Sequence, residues 1–310
     1  MARSISASSD SFVLSLTPSG DYVLFASFAN NLVASEHSSG FVDLYLWCCT
    51  NGAVSLVSLS NQGGSGGNCN SCYGNVTPDG RYVVFQSDAN DLAANDLNHA
   101  ADVFVRDIAA GTTALVSVNR QGTGTGNGES SNPVITPDGR YVAFVSAASD
   151  LVAGDANGVD DVLLFDRLTG QTMLLSQQVD GVSAASGKSL AHTLTPDGNT
   201  AIFNSIAPDL VAGDSNGTVD VFAVSIDRTT PSHEVPVITL AGALRQGALI
   251  TINWAAAPGW SYRVEYKDSL EEPSWHDLPG VVMIAGATAS FADQSAASLQ
   301  RRFYRVRLAE

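Results

Sequence analysis

The tetrapeptide Thr-Pro-Asp-Gly recurs in this chain at Thr77–Gly80, Thr136–Gly139 and Thr195–Gly198, with a Thr-Pro-Ser-Gly variant at Thr17–Gly20. The successive spacings are 60, 59 and 59 residues. A serine stands six residues before each threonine, at Ser11, Ser71, Ser130 and Ser189. The runs YVLFAS, RYVVFQS, RYVAFVS and NTAIFNS follow the turns, and acidic stretches such as SDLVAGDANGVDDVLL follow those. Repetition at this period restricts the fold to an array of similar units that bury their apolar faces on one another.

Each copy carries short β-type runs. In the third copy they fall at Asn132–Ile135, Tyr141–Ser146, Asp161–Asp166 and Gln171–Ser176. Alternating apolar and β-branched residues between Pro-Asp-Gly and Leu-Thr-Gly turns predict antiparallel strands joined by tight hairpins. Four such strands per copy form one propeller blade, so the expectation is an all-β, four-bladed β-propeller. The fourth copy runs out of strand signal after DVFAVSIDR, while Ala2–Ser8 reads like an outer strand. Pairing of Ala2–Ser8 with the third strand of the fourth copy would close the ring and hide two sheet edges.

Charge divides the chain. Residues 232–310 hold 8 acids against 7 bases, leaving 23 acids and 8 bases in residues 1–231, for a net charge of -16 overall. The contrast reads as two domains: the propeller repeats over 1–231, and over 232–310 a tail that the resemblance given below implies is a small β-sandwich. Excess acid argues against a nucleic-acid partner, which demands a basic footprint. No apolar run reaches the ~18 residues of a membrane span, and no signal-peptide pattern follows Met1.

The pattern Ser-x5-Thr-Pro-Asp-Gly-Arg-Tyr-Val-x-Phe-x-Ser resembles the TolB-type, WD40-like β-propeller repeat of bacterial proteins. Its continuation, Asp-Leu-Val-x-Gly-Asp-x-Asn-Gly-x-x-Asp-Val-Phe, resembles a secreted subgroup of these repeats. The likeness covers about residues 2–230 and implies a binding or scaffolding platform. The first copy departs from it, with Ser19 and Glu36 in place of Asp and an added residue before Asp43. The tail, with Trp254, Tyr262, Trp275 and Tyr304 as core candidates, resembles the fibronectin type III-like or Ig-like modules of bacterial surface proteins.

The acidic loops offer the most chemistry. They present Asp96, Asn98 and Asp102 in the second copy, Asp155, Asn157 and Asp161 in the third, Asp214, Asn216 and Asp220 in the fourth, and Glu36, Ser38 and Asp43 in the first. Oxygen ligands spaced around a glycine-bearing loop suit Ca²⁺; the same residues also hold turns without metal. In a blade, these loops share a face with the long Gly/Ser-rich connections between copies, where binding is placed on a rigid scaffold. Cys69 and Cys72 are candidates for a small loop disulfide, whereas Cys48 and Cys49 end a strand on the opposite face. The five histidines have no nucleophile motif around them.

The leading expectation is a secreted or cell-surface, non-enzymatic binding or scaffold protein with a protein or glycan partner, its loop face stiffened by Ca²⁺. One alternative is homo-assembly into a surface layer or fibre, driven by Arg301, Arg302, Arg305 and Arg307 facing the acidic propeller. Another is an enzyme acting on polysaccharide.

Overall fold

The computed structural model describes residues 7–33, 40–226, 240–246, 249–255, 262–269, 272, 274–280, 282–285, 288–295 and 301–308. The described residues are all-β. Three four-stranded antiparallel sheets come first, each in simple chain order. Blade 1 contains β1 (Ser11–Leu16), β2 (Tyr22–Ser27), β3 (Asp43–Cys48) and β4 (Val54–Leu56). Blade 2 contains β5 (Ser71–Val76), β6 (Tyr82–Ser87), β7 (Asp102–Asp107) and β8 (Thr112–Leu115). Blade 3 contains β9 (Ser130–Ile135), β10 (Tyr141–Ser146), β11 (Asp161–Asp166) and β12 (Gln171–Leu174). Blade 4 shows β13 (Ser189–Leu194), β14 (Thr200–Ser205) and β15 (Asp220–Ser225).

The repeated polar residues are internal ties. The serine opening each inner strand bonds the serine closing the second strand: Ser11 to Ser27, Ser71 to Ser87, Ser130 to Ser146 and Ser189 to Ser205, at 2.8–2.9 Å. In the Thr-Pro-Asp-Gly turn, Thr136 Oγ1 donates to Asp138 Oδ1 at 2.6 Å and accepts Tyr141 N at 3.0 Å. The turn closes through Gly139, whose φ of 74° is natural only to glycine. A methyl group there would also lie 2.4 Å from the ring of Tyr82 in the preceding blade.

Apolar faces join the blades. Leu24, Leu44 and Leu46 of blade 1 cluster with Val83, Phe85 and Phe104 of blade 2. Val84, Val103 and Val105 then meet Phe144 and Leu163 of blade 3. Val145 and Val162 meet Phe203 of blade 4. Each blade thus has a back face turned to its successor and a front face turned to its predecessor. The inner strands β1, β5, β9 and β13 stand side by side in that order.

Of the expected closing strand Ala2–Ser8, only Ala7 and Ser8 are among the described residues. Residues 1–6 lie outside the described residues, but Ser8 N donates to Asn31 Oδ1 at 2.8 Å in blade 1's own loop. The same bond runs from Asn68 N to Asp91 and from Asn127 N to Asp150, at 2.9 Å. Ser8 therefore occupies the place of Asn68 and Asn127, late in the connection between blades. The outer strands β4, β8 and β12 each end 15 residues before the next inner strand begins. In that frame Ala2–Ser8 corresponds to the connection Gln62–Asn68.

The chain separates into two compact units, the second made of Thr229–Glu310 together with Leu168–Gly170. In the second, β16 (Leu240–Gln246), β17 (Leu249–Ala255), β20 (Met283–Ala285) and β21 (Thr288–Asp293) form a sheet in the order β16-β17-β21-β20. A second sheet has the order β19-β18-β22, with β18 (Tyr262–Lys267), β19 (His276–Asp277) and β22 (Phe303–Leu308). Ile252, Trp254 and Phe291 of one sheet share a core with Tyr262 and Val264 of the other. Trp254 and Tyr262 meet edge to face at 5.7 Å, and Tyr304 packs at the margin. Trp275 lies apart from this core, half-buried beneath Lys267 and Arg305.

Gly139→Ala is expected to destabilise the protein by about 1–2 kcal/mol from backbone strain alone, with the Tyr82 clash added. Gly111→Ala has the same strain, at φ 69°, but open space around it. Urea unfolding should rank Gly139→Ala as clearly the more damaging.

Candidate functional site

Each inner strand is kinked by a β-bulge: between Val13 and Ser15 in β1, Cys72 and Gly74 in β5, and Leu190 and Thr193 in β13, and in β9 opposite Ala143–Val145. A bulge re-aims the extra side chain away from the sheet. Tyr73 and Asn132 occupy the bulges of β5 and β9 with φ of 44° and 53°, a region that costs most non-glycine residues energy. Both side chains border a cavity of about 610 Å³ lined by all four inner strands. Leu14, Asn75, Leu190 and His192 complete the part of the wall that bears on chemistry.

The wall is tied across blades. Asn75 Oδ1 accepts Ile135 N at 3.5 Å, and Gln86 Oε1 accepts Asn132 N at 3.4 Å. His192 Nε2 bonds the Ala143 carbonyl at 3.1 Å. Burial pushes the imidazole pKa down, against the opposing pull of the Ala143 and Asn132 backbone groups, so the ring is neutral at pH 7. The residues lining the cavity therefore offer amides, a phenol and a neutral imidazole, with no formal charge among them. Such a surface suits an uncharged polar ligand.

The acidic loops are largely engaged in structural bonds. Asp43, Asp102 and Asp161 open their strands fully buried and accept Ser58, Ser117 and Ser176 Oγ at 2.6–2.7 Å. Each serine Oγ also accepts a backbone amide, of Leu44, Val103 or Val162, at 3.0–3.1 Å. This clamp fastens the chain leaving the outer strand to the third strand. Asn157 Nδ2 bridges Asp161 Oδ2 and the Ala185 carbonyl, both at 2.7 Å, while its Oδ1 accepts Val159 N in a side-chain turn. Asn216 Nδ2 reaches Asp220 at 3.0 Å, and Asp214 Oδ1 accepts Asn216 N at 3.5 Å. Asp155 is buried, and desolvation raises its pKa despite a bond to Asn157. Glu36 and Ser38 lie outside the described residues.

Blade 2 differs. Asn98 Nδ2 turns to the Gly126 carbonyl at 3.0 Å, and Oδ2 of Asp102 has no hydrogen-bond partner. Asp96 is 4% exposed and neither of its carboxylate oxygens has a partner. Burial pushes Asp96 up to about 6 and Asp102 to about 7. Asn95 and His99 here hold the left-handed positions that Gly154 and Gly158 hold in blade 3. Among the described residues no group of three or more His, Cys, Asp or Glu is arranged to hold a metal. In blades 3 and 4, amide and hydroxyl donors already meet the strand-opening carboxylates Asp161 and Asp220 of the expected metal sets.

The connections between blades share the face of the acidic loops, as expected: Thr125 N reaches Asn95 O at 3.3 Å and Ala184 N reaches Gly154 O at 3.1 Å. They are ordered turns, pinned by the bridges Leu59–Gly66, Val118–Thr125 and Gln177–Ala184. Cys69 and Cys72, the expected disulfide pair, are both half-buried thiols in the structure. Cys69 packs into the core between blades 1 and 2, and burial pushes the Cys72 thiol up to about 11. Three of the four arginines near the C-terminus pair with carboxylates of their own unit. Arg302 pairs with Asp268 and Asp293 at 2.6 and 3.1 Å, and Arg305 and Arg307 meet Glu265.

No protein-family model and no curated protein matches the chain. Solved structures with similar folds include a putative TolB from Agrobacterium tumefaciens, at 13% identity and a TM-score of 0.42, covering 97% of this chain and 91% of that one. The tricorn protease aligns over 76% of this chain at 11% identity and a TM-score of 0.40, and the chain spans 22% of its length. The β-propeller domain of the Trilobed protease from Pyrococcus furiosus, described as having an open velcro topology, aligns over 79% of each chain at 9% identity and a TM-score of 0.38. The blade-like architecture is read from the sheets of the chain itself.

Stability should fall as pH rises past Asp161. Its carboxyl is raised by burial from 3.8 to about 6, despite bonds from Ser176 and Asn157. A pKa raised on folding contributes stability that is complete below about 4 and lost as pH rises through about 6. Asp161→Asn should remove this dependence, so wild type should lose up to about 3 kcal/mol relative to the variant between pH 4 and 7. Denaturant unfolding at the two pH values measures it.

Proposed function

We propose that the chain is a non-enzymatic binding module of the extracellular space, whose inner-strand cavity takes an uncharged polar ligand. The observation that carries this reading is the placement of Tyr73 and Asn132 in left-handed bulges beside Asn75 and His192. Backbone strain of this kind collects at functional sites, and a cavity with a few convergent polar groups is the common form of a ligand site. The carboxylates lie elsewhere, so the chain's net charge of -16 does not bear on this wall. The C-terminal sandwich, read as a fibronectin type III-like module, acts as a spacer or docking unit.

Ligand-observed NMR against neutral tripeptides and neutral oligosaccharides tests the reading. Binding by wild type that drops at least tenfold in Tyr73→Ala and Asn132→Ala, with thermal unfolding preserved, would support it. Equal binding by the variants, or none to either panel, would overturn it.

Calcium enters the same proposal at blade 2 alone. Asp96 and Asp102 leave three buried carboxylate oxygens without partners, and hard cations take carboxylate, carbonyl and water oxygens together. Binding to the native state stabilises it by about 1.4 kcal/mol at tenfold excess over Kd. EDTA-stripped protein should therefore unfold at higher temperature with millimolar CaCl₂ than with MgCl₂. The rise should vanish in Asp96→Asn and survive in Asp155→Asn; an equal rise in both, or no rise in wild type, would refute the site.

A further inference from the structure

The interface between blades is made three times within the chain, and the two ends of the series present its unused halves. On the back face, Leu44, Val103 and Val162 of blades 1–3 are each 0% exposed, whereas Val221, at the same position of β15, is 71% exposed. Leu46, Val105 and Leu164 are likewise buried, whereas Ala223 is exposed. On the front face, Val76 and Ile135 are each 6% exposed, whereas Leu16 of blade 1 is 59% exposed. Val83, Val142 and Ala201 are fully buried, whereas Val23 is only partly so. A hollow of about 150 Å³ bounded by Val13, Val23, Phe25 and Trp47 opens on this front side.

These faces are complementary because each is a copy of a surface that already fits the other. The back of blade 4 is homologous to the three backs that seat a front, and the front of blade 1 to the three fronts that are seated. Neither is blunted by charge, in a chain of net charge -16. Thr200, Ile202, Asn204, Val221, Ala223 and Ser225 line the back, and Leu16, Val23, Phe25 and Trp47 the front. The exposures also show that the two ends do not cover each other within one chain in this structure. Exposed contiguous apolar faces of this kind mark interaction surfaces.

We infer that a second copy of this chain docks here, the back of blade 4 in one protomer against the front of blade 1 in its partner. Made in both directions, the contact closes two chains into a pair with two equivalent junctions; heterologous contacts end in a ring when the rotation closes. The contact is uncharged, with Ile202, Val221 and Ala223 as its apolar part on blade 4, and the chains are alike in charge, so association strengthens as salt screens their repulsion. It differs from the arginine-to-acid contact expected from sequence, whose arginines are mostly paired inside their own unit. It does not depend on the cavity's ligand or on calcium.

Light scattering coupled to size exclusion, on the full chain at micromolar concentrations and physiological salt, is the test. The expected mass is twice 32.2 kDa. Val221→Asp and Leu16→Asp should each return the single-chain mass with an unchanged circular dichroism spectrum, since both side chains are exposed. Met283→Asp, at an exposed apolar site in the second unit, should leave the pair intact. An equimolar mixture of Val221→Asp and Leu16→Asp retains one sound junction and should recover part of the two-chain mass. A single-chain mass for wild type at every concentration, or a two-chain mass for Val221→Asp, would overturn the inference.

Discussion

An aromatic ring at the middle of each second strand, Phe85, Phe144 and Phe203, buried against the sheet before it, is the contact on which the propeller unit depends. A single twisted sheet of four strands leaves two faces and cannot bury both alone. Burial of a large apolar side chain stabilises by roughly 1.5–3 kcal/mol, so the repeated junctions provide the driving force. The hydrogen-bonded ties then fix geometry. Serine pairs set the register of first and second strands, and the Asp–Ser clamps bind the outer-strand exit to the third strand. Blade 4 keeps its serine pair and its Asn216–Asp220 bond, but its described residues show no serine on Asp220 and no fourth strand.

Much of this was legible in the repeat. The strands Tyr141–Ser146 and Asp161–Asp166 fall where alternation and turns place them, because the repeat's strongest signals mark their ends. The acidic loops were less legible. Carboxylates at these spacings serve a cation or a backbone equally well, and only the burial and the donors of the surroundings decide between them. In blade 3 Ser176 and Asn157 supply those donors; in blade 2 Asn98 gives its hydrogen bond to the Gly126 carbonyl. The role of Ala2–Ser8 is less legible, because its composition is strand-like while its spacing to Ser11 matches that of Gln62–Asn68 to Ser71.

The cavity was not foreseen because its chemistry sits where the repeat does not repeat. The bulged residues Leu14, Tyr73 and Asn132 share nothing but the bulge. Variation at a single slot within a strict repeat was the available signal. It separates residues that build the scaffold, which recur, from residues that distinguish one blade from another. The same contrast sets the recurring aspartates apart from Tyr73, Asn75, Asn132 and His192, which differ from their counterparts.

Hydrogen exchange followed by mass spectrometry compares the same strand in every blade and so probes the junctions directly. In dilute protein, the amides of β7 and β11 should exchange only through global opening, while those of β15 exchange much faster because its back face is uncovered. Raising the protein concentration should slow β15 and leave β7 and β11 unchanged. Protection of β15 equal to that of β7 and β11 in the most dilute sample would contradict the claim that burial between blades governs the stability of each sheet.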